Sequence, residues 1–334
     1  MKVEKVAQSR IAALDLTKGA LVVIMVLYHS FNYSTQRRLG YEYLGFLPPS
    51  FILITGFLVS NVYLARYAPS DSRLVRRLLA RGGKLLLTFT ALNVASISLF
   101  HSRARGEMPG LSLFFERWFD TYVTGNGRIA SFEVLPPLAY LLLVAPLLLW
   151  INSLHRFALP ALTLAAVATL IALEQSGIAW ANVQLLSAGL VGMLLGRLPM
   201  PVVNRLGRFW WGAVIAYAAC FWLTVEVGEP YPLQPIVACV ALALIFSLCL
   251  RMNQQNRFVR RLEILGQYSL VAYIAQIGIL QILTRAIGRS DPVSLPFLCL
   301  FIGALALTSV SVEIVCCARS RFQPADAAYK AVFV

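Results

Sequence analysis

Apolar residues along this chain gather into long runs, and the polar stretches between them are mostly basic. On the rule that about 20 apolar residues cross a bilayer, ten runs qualify: 11–31, 43–64, 84–100, 130–151, 157–173, 180–198, 209–227, 233–250, 265–287 and 293–316. The pattern predicts an all-α protein, a polytopic transmembrane helical bundle of about ten spans forming a single membrane domain over 1–334. With the N-terminus inside, 20 of the 29 Lys and Arg residues fall on the inner side and eight on the outer, while Lys18 lies within the first run. That bias predicts both termini in the cytoplasm. Residues 101–128 form the longest segment between runs and contain LSLFFERWFDTYV from Leu111. This piece is too short to span. It reads as an interfacial or re-entrant helix, either a lid over an outward-facing site or a surface helix anchored by Trp118 and Tyr122.

Composition agrees with the pattern. Hydrophobic residues make up 59% of the 334 and charged residues 13%, against about a quarter charged in soluble domains. The net charge of +14 is accounted for by basic cytoplasmic loops, and no basic module with interleaved aromatics points to nucleic acid. The six cysteines lie in or beside apolar runs without metal-type spacing and read as packing residues. The basic start, MKVEKVAQSR, precedes an apolar run without a small-residue cleavage site, so the run reads as a retained span rather than a signal peptide.

The first run, ALDLTKGALVVIMVLYHS from Ala13, carries Asp15, Lys18 and His29. Lys18 and His29 are eleven residues apart, which places them on one helical face about 16 Å apart along the axis. Asp15 lies three residues before Lys18, within pairing reach. Ionisable groups inside a span are expensive and point to function. Two structural readings stand beside that one: an interfacial Asp15–Lys18 pair with Lys18 snorkelling inward, and a His29 bonded to a neighbouring helix. After the second run, Arg73, Arg76, Arg77 and Arg81 would line one side of a short helix, either as positive-inside bias or as an anion site for cofactor phosphates. Thr55 and Gly56 interrupt the second run, Asn93 lies in the third and Glu133 opens the fourth. Ser269, Tyr273 and Gln276 share a face of the ninth, and Glu313 is near the inner end of the tenth. Of three histidines, His101 and His155 fall at run ends, so a polynuclear metal site is not expected. No Gly-rich phosphate loop, nucleophile elbow or zinc-protease motif occurs.

These residues resemble a known family. The pattern LD-x-x-K-G from Leu14, with His29 eleven positions after Lys18, is similar to the first helix of the membrane acyltransferase-3 family, which typically has Arg at the place of Lys18. FILITGFLVS from Phe51, the R-x-x-R of Arg73 and Arg76, and LGQYSLVAYIAQ from Leu265 resemble further stretches of it. In the last of these a His often stands where this chain has Gln276. FEVLPPLAYLLLVAPLLL from Phe132 resembles the branch that succinylates periplasmic glucans.

The resemblance implies a transmembrane O-acyltransferase of the bacterial cytoplasmic membrane, without a metal. It would take acyl-CoA (acetyl-CoA or succinyl-CoA) as donor and a glycan or glycolipid hydroxyl at the outer face as acceptor. An acyl transfer to a hydroxyl needs a base, for which His29 suits, and stabilisation of an oxyanion. Lys18 and Asp15 would meet the inner part of the donor, Arg73, Arg76 and Arg77 its phosphates. Thr55, Ser269, Tyr273 and Gln276 are candidates for the oxyanion or the substrate. Two other readings use the same buried charges: a glycan or lipid transporter, and a non-catalytic membrane component of polysaccharide export.

Overall fold

The structure is a computed structural model and describes residues 12–36, 38–64, 67–68, 71–100, 111–127, 131–228, 230–253 and 255–333. Of the basic residues weighed for orientation, Lys2, Lys5, Arg10, Arg37, Arg66, Arg103, Arg105 and Arg128 lie outside these, as does His101. Of the described residues 83% are helical, and none of them lies in a strand.

In chain order the helices are α1 (Ala12–Asn32), α2 (Arg38–Leu44) and α3 (Leu47–Leu58), the last continued by a π-helical turn over Val59–Tyr63. Next come α4 (Ser72–Phe100) and α5 (Leu111–Glu116), then a π-helical turn over Phe119–Thr124. There follow α6 (Leu135–Leu154), α7 (Ala158–Gln175), α8 (Ala181–Leu195), α9 (Met200–Leu206), α10 (Trp210–Val227) and α11 (Leu233–Cys249). The chain ends with α12 (Arg257–Gln267), α13 (Ser269–Ile287), α14 (Leu295–Arg321) and α15 (Gln323–Phe333).

Each of the ten apolar runs is largely helical, and six helices have the length and composition of a span: α1, α6, α7, α10, α13 and α14. The number becomes eight if the bent pairs α2–α3 and α8–α9, the latter turning through 107°, each count once. Of the remaining runs, 84–100 lies in α4, whose first turns carry Arg73, Arg76, Arg77 and Arg81, and 233–250 forms α11, of 17 residues.

Several local expectations change. Thr55 and Gly56 do not interrupt their helix; the departure from α-geometry comes later, over Val59–Tyr63. The arginines begin a 29-residue helix rather than a short one. Its start is fixed by the Asp71 carboxylate, which accepts from the Arg73 backbone N–H at 2.8 Å. The ninth run is divided at Tyr268, so Leu265 to Gln267 belong to α12. Glu133 lies in the turn before α6.

The chain divides into two compact units. The first holds α1, α12, α13 and most of α14. Its N-terminal half is built on glycines: a Cβ at Gly19 would lie 1.9 Å from the Leu262 carbonyl oxygen, and one at Gly266 1.8 Å from that of Asp15. The α1 and α12 backbones therefore touch, as small residues allow between helices in lipid. Leu16 packs there with Cys249, Val259 and Leu262, and further along α1 Val26 packs with Leu280, Leu300 and Ala304. The Thr35 N–H donates to the Ser290 carbonyl at 3.1 Å, and the Gln36 amide to Asp291 at 3.2 Å, tying the end of α1 to the turn before α14.

The second unit uses the same device between α3 and α8. Cβ atoms at Gly56 and Gly192 would lie 2.1 Å from the Gly189 carbonyl oxygen and 2.0 Å from that of Leu53. Asn93 grips the chain before α6, donating to the Ser131 carbonyl at 2.9 Å and accepting from its N–H at 2.6 Å. In the aromatic segment Phe114 is fully buried and Trp118 is 57% exposed. Its Tyr122 shares a 2.6 Å hydrogen bond with Thr90 of α4.

Gly266→Ala is expected to lower stability by about 1–3 kcal/mol, the usual range for overpacking. Gly278, also helical, has nothing within 4 Å of a Cβ, so Gly278→Ala should be neutral or raise stability by up to about 1 kcal/mol. Thermal unfolding of the two purified variants in detergent checks the contrast.

Candidate functional site

The first cluster is carried by α1. The ion pair between Lys18 and Asp15 forms, with Nζ to Oδ1 at 2.6 Å and the two side chains only 19% and 11% exposed. Gly19 follows Lys18 directly, so the backbone contact with α12 holds this part of α1 beside the LGQYS stretch. A Cβ at Gly266 would also lie 2.7 Å from the Gly19 nitrogen. The first-helix and late-helix motifs therefore meet through their glycines.

His29 sits in the last turn of α1 and is half-buried. The Asn32 amide, one turn on, places Nδ2 3.5 Å from His29 Nδ1, at the limit of a hydrogen bond. The Tyr273 ring of α13 lies 6.0 Å from the imidazole, and the Tyr28 ring lies edge-on at 5.2 Å. Tyr273 and Gln276 are buried and Ser269 is half-buried on the same helix. The structure thus brings His29 to Tyr273, and Gln276 lies one turn along α13 on the same face. Just past α1, burial pushes the Tyr33 phenol up from its ordinary pKa, while a hydrogen bond from Gln281 and the charge of Arg285 pull it back. Neither Asn32 nor Tyr33 was singled out in the sequence. The signal was present in their position, one turn beyond the imidazole.

The arginines and Thr55 belong to the second unit. Arg73 and Arg76 are exposed. Arg77 is half-buried, donates to the Tyr67 hydroxyl at 3.3 Å and lies 5.8 Å from the Tyr63 ring centre, and Arg81 donates to the Tyr63 hydroxyl. Tyr63 and Tyr67 therefore divide the basic face, holding Arg77 and Arg81 and leaving Arg73 and Arg76 towards solvent. The Thr55 hydroxyl donates to the Phe51 carbonyl at 2.8 Å, within its own helix. Elsewhere, His155 is exposed, and Glu313 pairs with Arg261 at 3.4 Å. Among the described residues no group of three His, Cys, Asp or Glu side chains is placed to hold a metal.

Taken together these are the features of a polytopic helical membrane protein with an ion pair and an imidazole on one face of its first span. A family model described as an acyltransferase domain matches residues 11–313. The chain belongs to the membrane acyltransferase-3 family and is a membrane acyltransferase. No curated protein and no solved structure matches it.

Lys18→Met leaves the Asp15 carboxylate enclosed without its cation and is expected to cost about 3 kcal/mol. Lys18→Arg, which restores a cation, should lose less than about 1 kcal/mol. Melting of the two variants in detergent at neutral pH compares them directly.

Proposed function

We propose that this acyltransferase moves an acyl group from cytoplasmic acyl-CoA to a hydroxyl of an extracytoplasmic glycan or glycolipid. It would work in the bacterial cytoplasmic membrane with both termini inside. The observation that carries the reading is the polar line of α1: a paired ammonium and carboxylate, then an imidazole beside a tyrosine three helical turns further on. A bilayer-crossing donor needs contact at two depths, and α1 offers polar groups at two depths on one face.

In this reading His29 removes the acceptor's hydroxyl proton as its oxygen attacks the thioester carbonyl. The tetrahedral intermediate then collapses, the carbon–sulfur bond breaks, and the proton passes from the imidazolium to the departing CoA sulfur. Base catalysis at Nε2 requires the neutral ring's proton on Nδ1. A half-turn of the Asn32 amide would present its oxygen to that proton. Tyr273 and Ser269 supply hydroxyls for the oxyanion, and Thr55 retains acceptor capacity. Arg73 and Arg76, with Arg77 more constrained, suit the donor's phosphates through charge-assisted hydrogen bonds.

His29→Ala should lower acyl transfer about 10²–10⁴-fold, the range for loss of a general base, while the protein inserts and melts normally. Acylation at the wild-type rate would remove His29 from the mechanism. A covalent acylated product also separates this reading from transport. Saturating CoA is expected to raise the melting temperature of the wild type, and the Arg73→Ala/Arg76→Ala double variant should lose most of that increase.

A further inference from the structure

Two side chains in the interior of the first unit are polar, fully enclosed and unmatched. Gln276 of α13 and Thr308 of α14 are each 0% exposed. Neither end of the Gln276 amide, nor the Thr308 hydroxyl, has a hydrogen-bond partner among the described residues. Other hydroxyls in this unit satisfy themselves: Ser30 of α1 donates to the Val26 carbonyl and Thr284 of α13 to the Leu280 carbonyl, each at 2.7 Å. Enclosing an amide or hydroxyl without a partner costs about 1–3 kcal/mol, and folded proteins keep few such groups without a reason.

The two positions lie at matching levels of consecutive helices. A Cβ at Gly303 of α14 would lie 3.7 Å from Leu283 of α13, and Leu280 and Ala304 share one buried cluster. The two helices are joined by the short connection over 288–294 and so run antiparallel, and about one turn from Leu280 and Ala304, away from that connection, are Gln276 and Thr308. One turn beyond Gln276 on α13 is Tyr273, with its ring 6.0 Å from that of His29. The pair thus continues, into the protein, the polar strip that begins at His29.

The unmatched atoms narrow what would fit. The Gln276 amide offers N–H donors at one end and an acceptor at the other, and the Thr308 hydroxyl both donates and accepts. A ligand carbonyl or carboxylate would serve the donors and leave Gln276 Oε1 against another acceptor. A hydroxyl, which donates once and accepts twice, can serve both ends.

We propose that Gln276 and Thr308 form a subsite for a hydroxyl-rich acceptor of the sugar class, holding one of its hydroxyls while a neighbouring one is presented to His29. This rests on the acyl-transfer reading above and adds the chemistry of acceptor recognition to it. Both are positioning residues, whose effect should fall on acceptor binding and not on the donor.

The test uses full-length protein in membrane vesicles, acetyl-CoA and succinyl-CoA as donors, and envelope glycan released from a strain deleted for this chain. Gln276→Met and Thr308→Val keep the shape and remove the polar atoms. Each is expected to raise the KM for the glycan at least tenfold, to leave the KM for acyl-CoA within twofold, and to melt no lower than the wild type. Gln276→Asn, which keeps the amide, should recover part of the loss. If the wild type transfers and both apolar variants keep its glycan KM, or alter only the donor KM, the assignment is overturned and acyl transfer stands. If the wild type transfers nothing from either donor, the functional reading falls and the subsite with it.

Discussion

The backbone contact between α1 and α12 at Gly19 and Gly266 is the constraint on which the first unit depends. Within a bilayer, apolar side chains gain little by leaving lipid for another helix, so association relies on close packing and on the few polar contacts available. A side chain at either glycine would run into a main-chain carbonyl oxygen, and a carbonyl cannot swing aside as a side-chain tip can. Because Gly19 adjoins Lys18 and Gly266 touches Asp15, the contact also fixes where the ion pair stands. Past the helix break at Tyr268, two residues after Gly266, α13 brings Tyr273 to the far end of α1.

Much of this architecture was legible in the residues, because long apolar runs in a membrane chain permit little besides helices. The pairing of Asp15 with Lys18 and the shared face of Lys18 and His29 followed from helical spacing alone. What spacing does not contain is the partner. Nothing local in LD-x-x-K-G or LGQYS says that the two glycines meet, since the contact joins residues more than two hundred positions apart. The break at Tyr268 was hidden for a related reason: Leu262, Ile264 and Leu265 of α12 are apolar, so the apolar run begins before the helix that spans. The two π-helical turns, over Val59–Tyr63 and Phe119–Thr124, leave no mark on hydropathy either.

Polar residues within apolar runs looked alike in sequence and separate in the structure according to where their hydrogen bonds go. Asn93 spends its amide on the Ser131 backbone and Thr55 its proton on the turn before it. Both are accounted for by the fold. Gln276 has the same outward signature, an amide in an apolar helix, yet its amide meets no such partner. The arginines divide similarly: Arg77 and Arg81 are held by tyrosine hydroxyls, and Arg73 and Arg76 are not engaged by them. Hydrogen-bond partners therefore separate side chains that build the protein from side chains with capacity left for a ligand.

Lys18, where the family typically has Arg, bears on how the α1 line works. An arginine beside Asp15 would form a planar two-pronged pair using both carboxylate oxygens. An ammonium is a compact charge with three N–H donors, and here it meets Asp15 through one oxygen at 2.6 Å. The pair neutralises itself, which lowers the cost of keeping charge in a span, while two ammonium N–H groups and the second carboxylate oxygen retain hydrogen-bonding capacity. Lys18 thus trades geometric rigidity for an unspent carboxylate oxygen on Asp15, on the same face of α1 as His29. A guanidinium that occupied both carboxylate oxygens would leave Asp15 less able to accept a hydrogen bond from a substrate.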